Sequence, residues 1–239
     1  MLPRYVLVEL LKLRRSLAGL LCLVAPACVA LLGGLIALDR KTPGPWPMFA
    51  TANAALWSFA MLPLAVTALS VLMAQMEHGP RTWNHLLTLP GARPWLFLAK
   101  ALVMMALVAG MMALLFVLVH LVGWGAQVLR PGVLSGRPDP ATLAALLARM
   151  AAASLLVCML QLWVALRFRS FVVPLAFGIG GTLVAVGATS ARQGVCFPWL
   201  LATNMLSTPD RLALALWIGG AGGLAVLAAM LVDLSRREA

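Results

Sequence analysis

The stretch MEHGPRTWNHLLTLPGARPWLFLAK, residues 76–100, decides the fold, because charged, polar and helix-breaking residues gather there between two long apolar runs. Glu77 closes residues 48–76, a run without a single charge. Gly79 and Pro80 then interrupt the helix, since glycine weakens it and proline removes a backbone donor. Residues 81–89 can form one short amphipathic helix with Trp83, Leu86, Leu87 and Leu89 towards one side. Pro90-Gly91 ends it, and Arg93, Trp95 and Lys100 stand where the next apolar run begins. Long cations at that depth snorkel to lipid headgroups, and tryptophan favours the same level. The segment reads as a structured inner loop that hands force to a partner; the plainer alternative is a loop anchored to lipid.

Composition sets the solvent. The 239 residues are 63% hydrophobic and 10% charged, with a mean hydropathy of +0.99, whereas soluble domains carry about 25% charged residues. Apolar runs of this length have one comfortable environment, so the chain is expected to be an all-α integral membrane protein forming one domain over residues 1–239. The net charge of +11 does not indicate nucleic acid, because the basic residues punctuate the ends of apolar runs rather than forming one patch.

Six transmembrane helices are predicted, over residues 17–38, 48–76, 101–129, 141–166, 171–191 and 212–232. The first run is long enough for a hydrocarbon core of about 30 Å. The excess length of the second implies tilt or a non-spanning start near Pro45-Trp46-Pro47. Before the spans, residues 1–16 read as an amphipathic interfacial helix: Val6, Leu10, Leu13 and Leu17 form one stripe, while Glu9, Lys12 and Arg15 take another side. A secretory signal peptide competes, because Ala25-Pro26-Ala27 resembles a cleavage site, but Glu9 and the apolarity running on to Leu38 oppose it.

Lysine and arginine set the orientation. Eleven fall on the side of the termini and the 77–95 loop, against seven on the other, so both termini are expected in the cytoplasm. Polar groups at depth are few. Arg149 is expected to reach the outer headgroups, His120 to make a helix–helix hydrogen bond, and Asp233 to meet Arg236 or Arg237. No span carries paired carboxylates, a Glu-x-x-His pair or a Ser/His/Asp set, which disfavours a membrane protease, a proton-coupled pump and a metal enzyme. Cys22, Cys28 and Cys158 fall inside spans as small packing residues, and Cys196 lies outside them. Gly178, Gly180 and Gly181 can admit close helix contact. Residues 192–211 are too short to span yet rich in apolar side chains. They are expected to dip into the outer leaflet as a short hairpin or a pair of short helices, with Phe197 and Trp199 forming either an outer gate or an interfacial anchor.

The P-loop pattern G-x-x-x-x-G-K-[ST] is missing: none of Lys12, Lys41 and Lys100 follows a glycine. Active transport would therefore draw on a gradient or on another polypeptide.

Over nearly its whole length the chain resembles the six-span permease subunits of type-2 ABC exporters. The resembling residues are Glu9, Lys12, Arg14 and Arg15 in the amphipathic start, then Glu77, Thr82-Trp83, Leu86-Leu87, Pro90, Arg93 and Lys100. In that family a Glu closes the second span, a Leu-Leu-x-x-Pro-x-x-Arg segment follows, and a Lys opens the third. The Glu-His…Thr-Trp…Leu-Leu-x-Leu-Pro variant is most similar to the lantibiotic-immunity and peptide or drug efflux branch, although Gly79-Pro80 is stiffer than the common Gly-Thr and no large outer domain is present. The resemblance implies a coupling helix in the 77–95 loop, seated in a groove of a cytoplasmic ABC ATPase subunit that binds ATP and Mg, and no cofactor in this chain. It implies motor contacts from Glu77, Arg81, Trp83, His85, Leu86, Leu87 and Arg93, with Glu9 and Lys12 bracing the elbow helix against the same region. It also implies short outer helices between spans five and six, and a second permease copy or related chain across a two-fold axis in a bacterial inner membrane. The function so implied is export of a lipophilic or amphipathic substrate by a non-enzymatic subunit. A non-transporting scaffold that docks a soluble partner and a haem or cytochrome-assembly permease are the alternatives.

Overall fold

Inside lipid a backbone amide has no partner but another backbone group, so uncharged runs of this length close on themselves as helices. The computed structural model describes residues 2–13, 16–78 and 93–236, and these are almost wholly helical. In chain order the helices are α1 (Leu2–Leu13), α2 (Leu17–Asp39), α3 (Trp46–Leu56), α4 (Leu62–His78), α5 (Arg93–Leu129), α6 (Pro140–Ala153), α7 (Leu155–Arg167), α8 (Val172–Ala188), α9 (Pro209–Trp217) and α10 (Gly223–Arg236). Two π-turns, Trp57–Met61 and Ile218–Gly222, join α3 to α4 and α9 to α10 into continuous spans. The first π-turn ends just before Pro63, where the missing N–H would break an ordinary helical ladder.

The membrane-protein class is as expected; the span count is less regular. Four helical runs are long and apolar enough to cross: Leu17–Asp39, Trp46–Glu77, Pro94–Leu129 and Pro209–Arg236. The fourth expected span is instead a pair of helices bent by 41° at Ser154. The fifth is the 17-residue Val172–Ala188, about 25 Å of helix at 1.5 Å per residue. Trp46–Glu77 is the most enclosed of the four long spans and Pro209–Arg236 the least.

Small residues bring the helices together. A Cβ on Gly178 of α8 would stand 2.0 Å from Thr67 Oγ1 of α4, and one on Gly181 would stand 2.3 Å from the Trp199 ring. Gly180 faces open space, so two of the three expected glycine contacts form and the third does not. Gly219, inside the second π-turn, and Gly223, just after it, lie against the backbone of Ala153 and Leu155 at the bend between α6 and α7. At the end of the bundle where α2 stops, Gly44–Pro45 pairs in parallel with Leu134–Ser135, and Arg130 donates to the Leu38 and Arg40 carbonyls at 2.8 Å.

One polar expectation changes, and two other polar groups find partners within the protein. Among the described residues His120 makes no cross-helix hydrogen bond; its Nδ1 donates to the Phe116 carbonyl of its own helix at 2.8 Å, and its ring stacks on Trp46. Asp233 accepts from Arg167 at 2.5 Å and from Trp163 at 2.9 Å, both on α7, while Arg237 lies outside the described residues. A neighbouring helix reaches it because α10 packs along α7. Arg149 Nε turns back to the Ala145 carbonyl at 3.1 Å, meeting its own helix's acceptor.

Candidate functional site

The chemistry-bearing cluster lies where α1, α4 and α5 meet. Along α1, Glu9 and Lys12 sit three residues apart, which places them on one face of the helix. That face, with Leu13, turns into the protein, while Leu7, Leu10 and Leu11 are exposed. Of the apolar stripe, Leu10 and Leu17 are exposed and Leu13 is buried. The partners of Glu9 and Lys12 lie beneath the helix.

Those partners are Glu77 at the end of α4 and Lys100 in the second turn of α5. Lys12 Nζ donates to Glu9 at 2.9 Å and to Glu77 at 2.6 Å; Lys100 Nζ donates to Glu9 at 2.7 Å and to Glu77 at 3.0 Å. The four groups alternate in sign around a closed ring, and their formal charges cancel. Glu9, Glu77 and Lys100 are all buried, Lys100 completely. Lys100 therefore does not snorkel to the headgroups as its position at the start of an apolar run suggested. With two carboxylates within 3 Å, its ammonium gains more inside the ring than it would by extending to the lipid surface. Taking such charges out of water is costly, and this mutual pairing offsets it.

Lys12 stands at the rim. Burial pulls its ammonium down, but hydrogen bonds to Glu77 and Glu9 outweigh that and leave it above the ordinary 10.5. Among the described residues no group of three His, Cys, Asp or Glu is placed to hold a metal ion, and both junction carboxylates are already occupied by lysines.

The junction pins both roots of the 77–95 loop to the elbow helix: Glu77 lies one residue before the end of α4, and Lys100 is the eighth residue of α5. Of the loop residues expected to touch a motor, Arg81, Trp83, His85, Leu86 and Leu87 lie outside the described residues. Arg93 opens α5. Glu77 has its carboxylate turned to Lys12 and Lys100 rather than to solvent.

The expected outer pair is at the far end. Trp199 is buried, stacked on Phe197 at 5.4 Å, edge-on to Phe177 at 5.2 Å, and seated over Gly181. The segment around it is made of short helices, the three 3-10 turns Arg192–Cys196, Pro198–Leu200 and Thr203–Leu206. Repeated proline and glycine in 194–209 prevent longer helices.

Two features escaped the sequence reading. The closed ring itself was one, although a lone Glu in a basic N-terminal segment, a Glu closing one span and a Lys opening the next were its traces. The other is Gln161, fully buried on α7, which donates to the Pro174 carbonyl of α8 at 2.6 Å; nothing in its flanking residues marked it.

The family described as ABC-2 family transporter protein matches residues 5–185, a region containing all four junction residues. Neither the curated proteins nor the solved structures contain a match. With three quarters of its length matched and an all-helical membrane fold, the chain belongs to the ABC-2 transporter family, as one of its transmembrane permeases.

Proposed function

We propose that this permease is the transmembrane subunit of an ATP-driven exporter that moves a lipophilic or amphipathic molecule, such as an antimicrobial peptide, a drug or a lipid-like compound, out of a bacterial cytoplasm. ATP and Mg belong to a separate cytoplasmic ABC ATPase, and a second permease copy or a related chain completes the path across a two-fold axis. On this reading all six apolar runs cross the inner membrane and both termini are cytoplasmic.

The observation that supports it is the four-charge ring. A loop that only closes two spans needs no buried ionic anchor at its base. A loop that receives a push needs one, so that displacement moves α1, α4 and α5 together instead of bending the loop. Leu86, Leu87 and Trp83 would meet the motor and Arg81, His85 and Arg93 would flank them, while Glu77 transmits the displacement through Lys12 and Lys100. Phe197 and Trp199 would close the outer end of the path.

The test is transport in inverted membrane vesicles of a fluorescently labelled amphipathic peptide. Uptake that requires both the chain and ATP hydrolysis by a co-purifying subunit is expected. Equal uptake by the purified chain alone, with no nucleotide-hydrolysing subunit present, would overturn the proposal.

A further inference from the structure

A small cavity lies at the opposite end of the bundle from the charge ring. Its wall includes His120, 20 residues or about 30 Å further along α5 than Lys100. Trp46, Thr51, Asp139 and Thr142 supply its other polar or aromatic groups, and the rest of the lining is aliphatic. The volume is about 50 Å³.

Each polar group there is an acceptor towards the cavity or already has its proton engaged. The Phe116 carbonyl can only accept, so His120 Nδ1 carries the hydrogen between them, and Nε2 is the ring nitrogen left for another partner. Thr51 donates its hydroxyl proton to the Pro47 or Met48 carbonyl. Thr142 donates to Asp139 from both its backbone N–H and its hydroxyl. These bonds hold the Asp139 carboxyl below its ordinary 3.8, so it stays ionised. Asp139 also caps α6, which fixes its position. Among the described residues no lysine or arginine lines the cavity, although the chain carries a net charge of +11. The wall thus combines one negative charge, an imidazole acceptor, hydroxyl lone pairs and the indole of Trp46.

We propose that this cavity binds a primary ammonium group on an aliphatic stem, as carried by an ethanolamine lipid headgroup or by a free alkylamine. Three N–H donors match three kinds of acceptor, the carboxylate supplies the counter-charge, and the indole adds a cation–π contact. A trimethylammonium has no N–H to offer these acceptors, so the wall favours a primary ammonium over a choline headgroup. The site is independent of the transport reading and lies far from the elbow and the loop.

The experiment is native mass spectrometry of the detergent-purified chain with equal amounts of phosphatidylethanolamine and phosphatidylcholine of matched acyl chains, followed by titration with n-butylammonium. The variants are Asp139→Asn, which caps a helix as well as Asp, and His120→Phe, which keeps the ring and removes the acceptor. The wild type is expected to retain ethanolamine lipid about tenfold over choline lipid, with Asp139→Asn abolishing that preference. Binding of n-butylammonium without lipid preference, weakened by both variants, would support the site with a free amine as its occupant. Indifference of the wild type to both probes, or wild-type behaviour in both variants, would overturn it. Should Asp139→Asn fail to fold, His120→Phe against wild type decides the matter.

Discussion

Lys100 and Glu9 are 91 positions apart in the chain, and 2.7 Å separates their charged groups in the buried ring. That single contact fastens the interfacial helix to the third apolar run, and Glu77 shares the same ammonium at 3.0 Å. Replacing Lys100 by methionine leaves two buried carboxylates to one lysine. The expected loss is about 3–5 kcal/mol of stability, the range for breaking a buried ion pair from one side. Thermal unfolding in detergent measures it. The double variant Glu9→Gln with Lys100→Met restores the balance of charge and should recover part of the loss; additive losses would argue against a coupled ring.

Lys12 gives the ring a pH limit. Its folded value lies above the ordinary 10.5, so its contribution is fully present below that value and is lost as pH rises through the folded value. The elbow should hold without change from neutral pH to about pH 10 and loosen above it. The midpoint of thermal unfolding, followed from pH 8 to 11.5, should fall more steeply at the alkaline end for the wild type than for Lys12→Met. Parallel curves would remove Lys12 from the account.

The loop carries the partner prediction. Replacing Trp83 and Leu87 together by aspartate should abolish co-purification of an ATP-hydrolysing subunit while leaving membrane insertion and the unfolding midpoint as in the wild type. Both residues are apolar. Unchanged co-purification would leave the loop without the role proposed for it.

Helix contact at Gly178 is tight enough to test with one methyl group. A Cβ there would lie 2.0 Å from Thr67 Oγ1, whose hydroxyl already donates to the Pro63 carbonyl at 2.8 Å. Gly178→Ala should destabilise by about 1–3 kcal/mol through overpacking. Gly180→Ala meets open space and should not destabilise. Equal midpoints for the two variants would mean that α4 and α8 are not packed this closely.

Uncharged run length was enough to determine the solvent, the all-helical class and the place of nearly every helix, because a backbone in lipid has few ways to satisfy its own polar groups. A break was legible at Pro198, where a 3-10 turn begins. Ser154 carries no such mark, and the bend between α6 and α7 goes with the close backbone of Gly219 and Gly223 packed against it. The sign and position of Glu9, Lys12, Glu77 and Lys100 were visible in the chain, but their meeting was not. Pairing across 91 residues depends on how α1 crosses α5, which no local pattern encodes. Tertiary packing decided that these charges point inward at each other, because inside a low-dielectric bundle a lone charge is far less stable than a closed ring of four.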